Sequence, residues 1–173
     1  MRASEIRTLA ERASIVAGAS VLDLCCGVAG PGRFLTRELD CRYVGVDSSA
    51  SAVEIASERA HGLPCRFVVA QIPPLPPGTF DAVLLLETLL AFRDKKTLVE
   101  AISRALPLGG RFGFTMEEGM PLTEPERASM PDADTVWLTP LDELLTAHRL
   151  WAEWLASGRV RKFAVVAERS TQE

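Results

Sequence analysis

The chain has 173 residues, is 47% hydrophobic and 24% charged, and carries a formal net charge of -4. That length suits one domain with a real core, spanning 1–173, and is short for two. A mildly acidic chain is a poor partner for a phosphate backbone, no apolar run nears the roughly 20 residues of a membrane-spanning helix, and the first residues lack the apolar stretch of a signal peptide.

In chain order, short apolar runs alternate with stretches of helical period, the pattern of a doubly wound α/β fold with a mostly parallel sheet. Apolar residues at Ile6, Leu9, Ala10, Ala13 and Val16 predict a helix over 4–16. A first strand over 20–25 runs into a glycine-containing loop (Gly27, Gly30, Gly32), with a helix starting at Phe34 and ending near Leu39. A second strand over 42–46 is closed by Asp47, and a helix over 50–60 stops at Gly62. A third strand over 65–70 leads into a proline-rich loop (Pro73, Pro74, Pro76, Pro77). The fourth strand is expected over 80–86, a helix over 94–106, and a fifth strand over 111–116. Residues 119–140 read as irregular, 141–156 as an amphipathic helix, and 161–168 as a last strand. The cysteines, Cys25, Cys26, Cys41 and Cys65, lack the paired spacing of a zinc site. They read as reduced thiols in a cytoplasmic protein, with no metal expected.

Ligands of open α/β sheets sit beyond the carboxyl ends of the strands, at the point where strand order reverses. The loop after the first strand, Val21-Leu22-Asp23-Leu24-Cys25-Cys26-Gly27-Val28-Ala29-Gly30, is therefore the place to look. Gly27 and Ala29 leave room for a ligand to approach the backbone. Asp47 follows Gly27 by about 20 residues, the spacing of an acid that ends a second strand and accepts hydrogen bonds from vicinal ribose hydroxyls. Glycine and acid alone fit a nicotinamide enzyme equally. The nearest dinucleotide-type match, Gly30-Pro31-Gly32-Arg33-Phe34-Leu35, lacks its last glycine, comes late after the strand, and loses an amide at Pro31.

The ordered set of motifs over 20–116 resembles the class I S-adenosylmethionine-dependent methyltransferases, which have a Rossmann-like fold. The segments that carry the resemblance are Val21–Gly27, Tyr43-Val44-Gly45-Val46-Asp47-Ser48-Ser49, Gly78-Thr79-Phe80-Asp81-Ala82-Val83 and Leu106–Phe112. It implies S-adenosylmethionine as the methyl donor, a small-molecule acceptor, and cofactor contacts at Asp23, Cys25, Gly27, Asp47, Ser48, Gln71, Ile72 and Leu86. Cys25 and Ala29 replace glycines usual in the family, and Gln71 replaces the acid often found facing the adenine amino group. The resemblance also implies a last strand antiparallel to the rest. By that pattern one helix–strand unit of the seven-stranded fold is expected to be missing near Pro140–Leu141, leaving an exposed sheet edge through which two copies could pair.

Asp23 sits inside an apolar strand, where an acid would order loop amides or meet the cofactor's amino end. Glu87, Glu117 and Glu118 follow the fourth and fifth strands and are candidates to steer a cationic substrate or act as a base, against a plain solvated role. His148 lies on or beside the apolar face of its expected helix, as a packed histidine would. Trp137, Trp151 and Trp154 could wall a substrate pocket, with core packing the default for Trp151. Neither an Asp/Asn-Pro-Pro-aromatic sequence nor a Pro-Cys pair follows the fourth strand, which argues against methylation of nucleic-acid bases. No catalytic residue is assigned. The alternative is a protein of the same fold that binds S-adenosylmethionine without transferring its methyl group, either pericyclase-like or regulatory. A nicotinamide-dependent oxidoreductase fits less well.

Overall fold

The computed structural model describes residues 1–119, 123–128, 149–150 and 152–170. Two compact units divide the chain, Met1–Thr115 with Ala164–Glu173, and Met116–Phe163. The elements run α1 (Ala3–Arg12), β1 (Ser20–Leu24), α2 (Gly30–Leu39), β2 (Arg42–Asp47), α3 (Ala50–Arg59), β3 (Cys65–Val69), β4 (Ala82–Leu85), α4 (Lys95–Ala105), β5 (Arg111–Gly119), α5 (Glu124–Ala128) and β6 (Val160–Glu168). A single 3-10 turn, Leu89–Ala91, lies between β4 and α4. Among the described residues the six strands form one sheet in the order β3-β2-β1-β4-β5-β6.

β1, β2, β3, β4 and β5 pair in parallel. The last strand turns back. Gly109 donates to the Arg169 carbonyl, Arg169 donates to Gly110, and Arg111 pairs with Glu168, so β6 runs antiparallel beside β5. The α/β, Rossmann-like reading of the sequence, with a mostly parallel sheet and an antiparallel last strand, is thus the observed fold, with six strands among the described residues. The Pro140–Leu141 junction, where the missing unit was expected, lies outside the described residues.

Both faces of the sheet are covered, which is why its strands read as nearly continuous apolar runs. One face packs Val21, Tyr43 and Leu84 against Ile6, Leu9, Ala10 and Leu35. The other packs Leu22, Leu24, Val46, Val83 and Leu85 against Leu98, Ile102 and Phe80. Helix starts follow local chemistry. Ser49 accepts from the Ala52 amide at the head of α3, and Asp94 accepts from the Thr97 amide at the head of α4.

Several boundaries differ from those read in the sequence. α2 begins at Gly30, four residues before the expected Phe34, because Pro31 falls in the first turn, where a missing N–H costs nothing. α1 ends at Arg12, short of Val16, since Ser14 turns to a positive φ of 53°. β4 is confined to Ala82–Leu85, and β5 runs on to Gly119. The short α5 was not anticipated in a stretch read as irregular. Of the expected helix over 141–156, residues 149–150 and 152–156 are helical and the rest lie outside the described residues.

In the second unit, Glu118 lies 3.5 Å from Arg161, and the backbone of Gly119 sits against Val160. Trp154 is buried there, with the Arg159 guanidinium 5.3 Å from its ring centroid.

Candidate functional site

Register brings the site together. Leu24 pairs with Val46 on β2 and with Leu85 on β4, so the carboxyl ends of the three central strands finish level. Chain order reverses at β1 and β4, which places the crevice of the fold above Cys25 and Leu86.

A cavity of about 210 Å³ opens at these strand ends, lined by Cys25, Val46, Asp47, Ser48, Ala70, Gln71, Ile72 and Phe92. Its size is below the roughly 300–1,000 Å³ of pockets that take a whole drug-sized ligand. It suits one planar part of a ligand, with the remainder lying along the crevice.

Asp47 is the organising residue of this wall. Its Oδ2 accepts from the Gly27 amide at 2.7 Å, and its Oδ1 accepts from the Ser49 amide at 2.9 Å. Each carboxylate oxygen retains a further lone pair for a ligand donor. Gly27 adopts φ of +52°, a conformation that favours glycine, and the space above it is open. Cys25 and Ala29, which replace family glycines, also hold positive φ, at 57° and 53°. The loop therefore keeps its glycine-type backbone without the glycines. Burial pushes the Cys25 thiol up, opposed by the Thr88 hydroxyl and reinforced by the charges of Asp47 and Asp23. Cys26 is buried as well and pushed up to about 12, chiefly by desolvation. Both thiols stay protonated at neutral pH.

Asp23 behaves differently from the expectation that it orders loop amides. It is only 2% exposed, and its hydrogen-bond partner is Tyr43, whose hydroxyl donates to Oδ2 at 2.6 Å. The loop amide of Gly27 belongs to Asp47, whose carboxylate reaches it from the end of β2. Desolvation raises the Asp23 carboxyl to about 7, against the pull of the Tyr43 hydrogen bond and with help from the Asp47 charge. The Tyr43 hydroxyl is held far above its usual range, first by burial and then by Asp23.

Of the residues singled out in the sequence, Cys25, Asp47, Ser48, Gln71 and Ile72 line the cavity, and Gly27 is bonded to its wall. Leu86 does not line it. It is half-buried against the core face that holds Val21 and Tyr43, because β4 ends one residue earlier. Phe92 was missed. It follows the 3-10 turn after β4 and closes the cavity opposite Asp47's strand, a position that no periodicity marks. Glu87 sits at φ of +65°, its amide held by the buried Thr115 hydroxyl at 2.6 Å, and its carboxylate lies 3.6 Å from the Met1 amine. Glu118 pairs with Arg161, and Trp154 is packed inside its own unit. His148, Trp137 and Trp151 lie outside the described residues. Among the described residues, no group of His, Cys, Asp and Glu could hold a metal ion, and no helix is long and apolar enough to cross a membrane.

Residues 21–110 match the methyltransferase domain family, and the chain belongs to it. A phosphoethanolamine N-methyltransferase of Arabidopsis thaliana is 32% identical over 105 residues, covering 58% of this chain and 21% of the relative. A sterol 24-C-methyltransferase of Aspergillus fumigatus is 33% identical over 111 residues, covering 61% of this chain and 29% of the relative. The chain thus spans between a fifth and a third of the length of these two relatives. The Haemonchus contortus phosphoethanolamine N-methyltransferase 2, crystallised with S-adenosyl-L-methionine, shares the fold with a TM-score of 0.75. It is 17% identical, and the alignment covers 97% of this chain and 53% of that one.

Proposed function

We propose that this protein binds S-adenosylmethionine at the β1–β2 strand ends and transfers its methyl group to a small molecule. The observation that carries this reading is Asp47, which grips the Gly27 loop and still offers lone pairs at the mouth of the cavity. The residues suit this ligand. Asp47 would accept from the ribose hydroxyls, with Ser48 beside it. The adenine would lie in the 210 Å³ cavity between Ile72 and Phe92, with its exocyclic amine toward the Gln71 side chain. Asp23, below the loop, would balance the ammonium of the cofactor's amino-acid end.

When bound, the sulfonium supplies a methyl group already activated for attack by an O, N, S or C nucleophile. The work left to the chain is alignment and the exclusion of water. Leu24, Val46 and Leu85 form a dry floor beneath the strand ends. Glu87, held in place by Thr115, is the carboxylate best placed at the end of β4 to meet an acceptor. A general base is needed only where the acceptor must lose a proton before attack. The two curated relatives differ in acceptor, one a nitrogen and the other a carbon, so the acceptor class does not follow from family membership.

The wider reading is a cytoplasmic protein with four free thiols and no nucleic-acid partner, able to self-associate through β6, the last strand in the sheet order. Titration calorimetry tests the core of it. S-adenosylmethionine and S-adenosylhomocysteine should bind at micromolar strength and NAD should give no heat. Saturable NAD binding with silence from both adenosyl ligands would overturn the assignment.

A further inference from the structure

Asp23 poses a cost that the packing alone does not explain. It pairs with Leu84 of β4, which belongs with Val21, Leu9 and Leu35 to one buried cluster. A carboxylate there loses its hydration, and an apolar residue of similar size would pack at no such penalty. Three positions are nevertheless fitted to it. The Tyr43 hydroxyl reaches Oδ2 at 2.6 Å. The Tyr43 ring occupies the space above Gly32 in the first turn of α2, where a Cβ would fall 2.0 Å from a ring carbon. Phe67 on β3 meets the ring edge-on, with centroids 5.9 Å apart. Glycine is a poor helix residue, and its presence at position 32 is what lets the tyrosine lie flat and reach the acid. Asp23 lies on β1 two residues before Cys25, and the intervening Leu24 pairs with Val46; Cys25 and Val46 both line the cavity, so the acid lies close beneath the cofactor crevice.

We propose that Tyr43 is a positioning residue, whose hydroxyl orients the Asp23 carboxyl toward the ammonium group of the bound cofactor. This rests on the S-adenosylmethionine reading above. Tyr43 touches no ligand itself and acts through Asp23. The groups facing Asp23 are Tyr43 and Asp47 from β2, and Cys25 and Cys26 from the loop, with Cys65 of β3 beside Tyr43. α1, α2 and β4 present Leu9, Leu35 and Leu84 to the same cluster. Burial raises Cys25, Cys26 and Tyr43 as it raises Asp23.

The test compares cofactor affinity against pH in the wild type, Tyr43→Phe and Asp23→Asn. The ligand's own titration is common to all three and cancels in the ratios. Without the hydroxyl, Asp23 titrates higher, and binding at about pH 7 weakens severalfold. The gap should close as pH rises beyond the new midpoint, since both forms are then ionised. Asp23→Asn should bind weakly, with no Asp23 step in its profile. Tyr43 is the sole tyrosine of the chain. Fluorotyrosine incorporation therefore gives one ¹⁹F resonance from a protein that keeps its hydroxyl, and this covers the case in which Tyr43→Phe fails to fold. That resonance should titrate with Asp23 near neutrality, and saturating cofactor should lower its midpoint. A Tyr43→Phe profile that overlays the wild type, or a fluorine midpoint that ignores cofactor, overturns the role of Tyr43 while leaving cofactor binding intact. No cofactor binding by the wild type at any pH overturns instead the reading on which it rests.

Discussion

Asp23→Asn should make the protein more stable and less able to bind its cofactor. Burial pushes the carboxyl up to about 7 in the fold from its ordinary 3.8, and the residue is 2% exposed. The folded state thus holds a proton that the unfolded chain releases, and stability falls as pH rises between the two values. About three units at 1.36 kcal/mol each put the full penalty near 4 kcal/mol above neutrality. Asparagine keeps an acceptor for the Tyr43 hydroxyl, which donates at 2.6 Å, and carries no charge. Its own buried amide offsets part of the gain. The variant should therefore exceed the wild type by on the order of 2–4 kcal/mol at about pH 8, and by less than about 2 kcal/mol near pH 5. Urea unfolding across that range, without ligand, measures the difference. A gap that does not change with pH, or a variant less stable than the wild type at about pH 8, would refute the reasoning. The loss of cofactor affinity alongside the gain in stability is the expected exchange at a site whose charge serves a ligand.

Asp47→Ala removes an acceptor from the Gly27 and Ser49 amides, and with it the proposed acceptor for the cofactor ribose. Cofactor binding should weaken by about 2–3 kcal/mol in a chain that still folds, by calorimetry, and unchanged affinity would place the ribose elsewhere. Cys25→Gly relieves a left-handed backbone, φ 57°, at roughly 1–2 kcal/mol, and gives back about 0.4–1 kcal/mol through the freer unfolded chain. The unfolding free energy from denaturant titration should hold or rise slightly, and a loss of more than about 1 kcal/mol would mean that the thiol packs more tightly than its half-buried position indicates.

The fold was legible because its signals are local and repeated. Apolar strand runs, the Asp47 strand end and the Gly27 turn each show in a few adjacent residues, and β1, β2 and β3 fell within a residue of the expected bounds. What escaped depended on contacts between distant segments. Tyr43 looks like one more strand aromatic until the helix above it proves to have a glycine at position 32. Phe92 follows a 3-10 turn, which has no period to detect. The acid at position 23 was visible, but its partner was not. Sequence spacing cannot say which of two carboxylates, Asp23 or Asp47, reaches the Gly27 amide. The early start of α2 was obscured by reading Gly30, Pro31 and Gly32 as loop formers, when proline in a first turn serves equally as a helix beginning.

The double attachment of Asp47 limits how this site could be redesigned. One carboxylate shapes the loop after β1 and faces the cavity mouth, so ligand preference and loop conformation cannot be varied separately at that position. A glutamate would carry its oxygens past the Gly27 amide, and an asparagine would offer one acceptor where two amides are waiting. An engineer who wished the pocket to accept a cofactor analogue altered at the sugar would have to leave Asp47 alone. The room would have to come from Ser48, which lines the same wall.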